Sequence, residues 1–197
     1  MNILNSKLPV LKAIALLICF TTLNSFAGPA SDFVFVERQG AIFALPQDWE
    51  DRSNTWVEPT AKNKNSQAAD FTEPDESKPF DFRGRIHLSL QLTSSTPDEE
   101  LTLIKDGVIA NMKMMKPETM HLDESPKIIN FAGFKALVWK WTLTQEFNVA
   151  GVKNRVSTRM IYIAGQKYIY KFNLTGEEER WGKIFNEIVK TIKVDQN

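Results

Sequence analysis

Cysteine is nearly missing from this chain. The one thiol, Cys19, sits inside an apolar N-terminal run, Ala13 to Leu23. Everything downstream therefore lacks a disulfide, a thiol nucleophile and a cysteine-ligated zinc site. Histidine is almost as scarce, with two in the chain, and 24 basic side chains stand against 24 acidic ones. That balance removes the long-range field that draws nucleic acid or an anionic lipid surface, so neither is expected as a partner. The sequence also has no Gly-x-Ser-x-Gly elbow, no Gly-rich phosphate loop and no HExxH. No motif names a reaction, and no cofactor is expected.

What is present begins with an export signal. Lys7 and Lys12 give a basic start, and AIALLICFTTL follows without a charge. Ser25 and Ala27 then stand at the two small-residue positions that a signal peptidase reads. The apolar run is shorter than the roughly 20 residues of a membrane span. Residues 1–27 are therefore expected to be a cleavable signal peptide. Residues 28–197 form a single domain, exported to the periplasm or secreted, with no transmembrane segment after cleavage. Lipid attachment at Cys19 would want a small residue before it, where Ile18 stands.

Past the signal, Phe33 to Val36 and Ala41 to Leu45 read as two strands joined at Gln39-Gly40. Ser53 to Glu58 reads as a short strand around Trp56. From 59 to 84 the composition turns polar, with Pro59, Pro74 and Pro79 as breakers. A loop of that length in a compact domain is functional or disordered. Ile86, Leu88, Leu90 and Leu92 alternate with polar residues, the period of a half-buried strand. Thr96-Pro97-Asp98-Glu99 forms a capping box. It opens a helix to about Met115, with Leu101, Ile104, Val108, Met112 and Met115 on one stripe.

The second half reads as a meander. Strands are expected at Ile128–Phe131, Phe134–Phe147, Val156–Ile163 and Tyr168–Leu174, with turns at Ala132-Gly133 and Ala164-Gly165-Gln166. Thr175-Gly176-Glu177-Glu178 looks like a second capping box. The last helix carries Trp181, Ile184, Phe185, Ile188 and Ile192 on one stripe. The long strand is apolar on both faces, so the expected fold class is α+β: an antiparallel β-sheet flanked by helices on both sides.

Several stretches carry a resemblance: Ile42 to Trp49 after the first hairpin, Thr96 to Leu101 opening the middle helix, Gly133-Phe134-Lys135-Ala136, and Tyr168 to Phe185. In this order they resemble the PsbP-like fold, shared by PsbP, Mog and DcrB-like exported proteins. The resemblance covers most of residues 33–194. It implies an α/β/α sandwich and a binding or assembly role more than catalysis. No functional residue of that family is carried onto this chain.

The candidate sites follow from isolated features. Phe71, Phe80 and Phe82 lie among charges and prolines, where aromatic side chains dock onto a protein partner, here unknown; the simpler reading tucks Phe80 and Phe82 against the sheet. His121, Asp123 and Glu124 offer an imidazole and two carboxylates to a divalent metal. Beside them Met120 belongs to a cluster with Met112, Met114 and Met115, whose thioethers suit a soft metal or an adaptable core. A solvated loop is the simpler reading of His121 to Glu124. His87 falls on the polar face of its strand, and Trp139 and Trp141 share a face of theirs that reads as core. Acidic Glu177, Glu178 and Glu179 are explained by a helix N-terminus. Two functions follow: a non-enzymatic exported binding or assembly factor, or a small-molecule or metal binder using a pocket between sheet and helix.

Overall fold

Six of the eight strand pairings among the described residues join neighbours in the sequence. A computed structural model describes residues 33–74, 82–114, 120–146 and 153–195. The expected signal peptide, Phe80, Met115 and the turn at Asn148 to Gly151 lie outside the described residues. The elements are β1 (Phe33–Arg38), β2 (Ala41–Pro46), β3 (Glu50–Asp51), β4 (Asn65–Thr72) and β5 (Arg85–Leu92). Then come α1 (Pro97–Met114), β6 (Met120–Phe131), β7 (Phe134–Glu146), β8 (Lys153–Ala164), β9 (Tyr168–Glu177), α2 (Glu178–Thr191) and β10 (Lys193–Val194). A seven-stranded sheet runs β3-β4-β5-β9-β8-β7-β6, and a three-stranded sheet runs β1-β2-β10. The pairings are antiparallel, and β5–β9 and β2–β10 bring distant strands together.

Two hairpins turn where the sequence placed them. Gln39 and Gly40 have φ of 51° and 78°, and Ala132 and Gly133 have 49° and 88°. Two successive residues with positive φ match the right-handed twist of the strands they join.

The main sheet separates two cores. On one face Ile86, Leu88 and Leu90 meet Phe172, Leu174 and Ile161, under Phe43 of β2 and Trp181, Phe185 and Ile188 of α2. On the other face Leu137, Trp139 and Ile169 bury Leu101 of α1, with Ile104, Val108 and Met112 packed alongside. The α+β arrangement, with a helix on each side of an antiparallel sheet, is the one expected.

Five expectations are corrected. The polar stretch 59–84 is not all loop, because β4 occupies Asn65–Thr72 and pairs with β5. Phe71 lies in that strand and is 2 % exposed, as is Phe82, so neither is an exposed contact for a partner. Composition hid β4: its second face carries Asp70, which Arg85 satisfies from the next strand through Nε at 2.7 Å and through a second, shorter bond from Nη2.

The strand expected at Ile128–Phe131 starts instead at Met120. Its register shifts between Leu122 and Lys127, and it tolerates Pro126 because it is an edge strand with free N–H positions. No strand forms around Trp56, which packs against the first core while β3 takes the pairing. The second capping box is absent. Thr175 stays in β9 with its hydroxyl on Thr158, 3.1 Å away. Glu177 caps α2 without a side-chain bond.

Candidate functional site

The C-terminal half of α1 and the start of β6 leave a cleft between them. The helix stripe puts Met112 towards the sheet, while Ile109 and Lys113 sit on the flank nearest β6. On β6, alternation sends Met120 and Leu122 to the side facing α1. The register sets them opposite Leu143 and Trp141. The result is a cleft of about 590 Å³ whose wall includes Ile109, Met112, Met120, Leu122 and Pro126. Lys113, His121 and Ser125 also border it. Its walls are mostly carbon and sulfur, a surface that selects by shape and apolar burial, with the two Met side chains able to adapt.

The metal-ligand candidates are only partly brought together. His121 pairs with Thr142 across the strands, and its side chain is 77 % exposed. Its Nε2 is 3.9 Å from Asp123 Oδ1. Asp123 accepts a hydrogen bond from the buried Thr142 hydroxyl at 2.5 Å, and Glu124 faces Lys127 at 3.7 Å. Among the described residues no three His, Cys, Asp or Glu side chains gather around one point. Met120 shares the cleft with Met112, while Met114 is 77 % exposed.

Phe71 and Phe82 contribute to the domain's interior, with Phe71 edge-on to Phe43 at 6.0 Å. Trp139 is core as expected and meets Tyr162 edge-on at 4.9 Å. Burial pushes the Tyr162 phenol up to about 12, so it stays neutral under the helix.

His87 sits on the sheet face away from the first core. There it lies opposite Asp70 on one side and Asn173 on the other. Its Nδ1 is 3.8 Å from Asp70 Oδ2, beyond hydrogen-bond length. Burial is the largest influence on the Asp70 carboxyl and raises it, but Arg85 and His87 together outweigh burial, and the net direction is downward. The His87 Nδ1 is buried without a hydrogen-bond partner among the described residues.

Sequence reasoning missed Ile109, Leu122 and Pro126. Ile109 lies three residues before Met112, off the main stripe, which marked it as a flank residue. Leu122 would have followed from alternation with Met120 once β6 was recognised.

Neither a protein-family model nor a curated protein matches the chain. Among solved structures, it is similar to a protein from Bacteroides thetaiotaomicron at 12 % identity and TM-score 0.43, over 79 % of this chain. It spans 45 % of that protein's length. It is similar to LpqN, described as involved in cell envelope biogenesis of Mycobacterium tuberculosis, at 13 % identity and TM-score 0.46, over 82 % of this chain and 90 % of LpqN. Cyanobacterial PsbP (CyanoP) from Synechocystis sp. PCC 6803 matches at 13 % identity and TM-score 0.47, over 87 % of this chain and 96 % of its own. A PsbP is thus among the solved structures that this chain resembles.

Proposed function

We propose that this is an exported, non-enzymatic binding protein that takes an apolar ligand in the cleft between α1 and β6. The observation that carries the reading is the cleft itself: about 590 Å³ lined by Ile109, Met112, Met120, Leu122 and Pro126. A cavity of that size holds a small organic molecule or an apolar side-chain anchor of a partner. Export rests on the N-terminal signal pattern. The binding role is supported by walls that offer shape and apolar contact, and among the described residues no hydrogen bond joins the bordering Ser125 to His121.

The test is a titration with the uncharged fluorescent probe N-phenyl-1-naphthylamine. Saturating one-to-one binding is expected, weakened about tenfold or more by Ile109→Trp, which fills the cleft from the helix flank. No saturable binding, or equal binding by the variant, would rule the cleft out. Turnover of any substrate by the purified protein would remove the non-enzymatic part.

A further inference from the structure

A second cavity lies on the opposite face of the main sheet, beside α2. Three cations from three adjacent strands border it, Lys127 of β6, Lys140 of β7 and Arg159 of β8, with one carboxylate, Glu124, also on its lining. The register sets Lys140 directly across from Arg159, and Lys127 across from Val138. All three therefore project from the face that carries α2. The cavity measures about 250 Å³, and Ile129, Val138, Ile161 and Val189 are among the apolar residues lining it.

The charges there do not cancel. Lys127 meets Glu124 at 3.7 Å, but the two side chains are 59 % and 47 % exposed, and such surface pairs contribute little. Lys140 is only 16 % exposed and bonds Glu178 at 2.7 Å. Arg159 donates to the neutral amide oxygen of Asn186 and shares with Lys140 the single carboxylate of Glu178, whose charge it also feels. Two carboxylates thus answer three cations. Beside an apolar wall, where water screens poorly, the surplus charge attracts an anion more strongly than it would in the open. The guanidinium fork of Arg159 matches the geometry of a carboxylate or phosphate.

We propose that this cavity binds a small molecule with one oxyanion head, carboxylate or phosphate, on a short apolar body. The head meets Arg159 and Lys127 at the rim, and the body lies along Val138, Ile161 and Val189. At roughly 30 Å³ for a water-sized group, the space suits about eight heavy atoms. This site is separate from the α1–β6 cleft, so either stands if the other fails.

The test is calorimetric titration of the purified protein with hexanoate, hexyl phosphate and the uncharged hexanamide. At least one anion is expected to bind about tenfold or more tightly than the amide. Arg159→Gln and Lys127→Gln should each weaken that binding about fivefold or more. Lys127 is exposed, so its variant keeps the fold even if the Arg159 variant loses it. Both anions binding no better than the amide, or binding that Lys127→Gln leaves unchanged, would overturn the proposal. The tighter of the two anions names the head group.

Discussion

At the scale of single residues, two buried carboxylates show how this domain admits charge into its interior. Glu73 is 2 % exposed. Its Oε2 accepts from the Gly84 N–H and the Trp181 indole, each at 3.1 Å, while Arg180 pairs with Oε1. A buried charge survives only when it is met in this way, and these contacts tie the first turn of α2 to the β4–β5 connection. Gly84 has to be glycine there, because a Cβ would come within 2.5 Å of Trp49 and 2.7 Å of Trp181.

Asp70 makes a testable case. Its folded carboxyl sits below the ordinary value because Arg85 and His87 together outweigh burial, the largest single influence. A depressed carboxyl contributes stability above the unfolded value, about 3.9, and that stability is lost as pH falls through the folded one. Urea denaturation at stepped pH should find Asp70→Asn less stable than the parent at pH 7, with the gap narrowing below about pH 4. A gap constant with pH would show that the ion pair contributes nothing through protonation.

At the scale of elements, α1 was legible almost residue by residue. Its capping box forms as the spacing implied. The Thr96 hydroxyl accepts from the Glu99 N–H at 3.4 Å, and Glu99 Oε2 accepts from the Thr96 N–H at 3.2 Å. Thr96→Ala should cost about 1 kcal/mol. Gly107 sits mid-helix, and an added Cβ there meets nothing within 4 Å. Gly107→Ala should therefore stabilise by about 0.5–1 kcal/mol. Chemical denaturation of the two variants checks both signs, and a destabilised Gly107→Ala would mean that the helix needs its glycine.

Strand β6 was legible only at its end. Ile128 to Phe131 alternates cleanly, but Asp123, Glu124, Pro126 and Lys127 look like a loop. They are charged side chains and a proline on an edge strand, the kind that blunts an exposed edge against pairing with another chain. The α1–β6 cleft was half visible for the same reason: Met112 stood on a readable stripe, whereas Leu122 needed the strand.

At the scale of the whole molecule, the sheet is a partition between two cores that share backbone but few side chains. Leu101 and Ile188 are both fully buried, one in each core. Leu101→Ala should cost about 2–5 kcal/mol and Ile188→Val about 0.5–1.5 kcal/mol. With the sheet between them, the double variant should equal the sum within about 0.5 kcal/mol. A larger departure in equilibrium denaturation would mean that the sheet shifts as one body when either core is thinned.

Most of the architecture was readable because it is local. Neighbouring strands pair through short turns whose Gln39-Gly40 and Ala132-Gly133 can adopt positive φ. Helix stripes of period 3.6 and strand alternation of period 2 assign the faces. Element order, the α+β class and the roles of Trp139 and Leu101 followed from such patterns. What tertiary structure decided was whatever depends on a partner distant in sequence. A polar strand becomes core once Arg85 answers Asp70, and Phe71 is drawn inward with it. Lys127, Lys140 and Arg159 surround one cavity because the antiparallel register of three strands sets them side by side, and no spacing along the chain encodes that register.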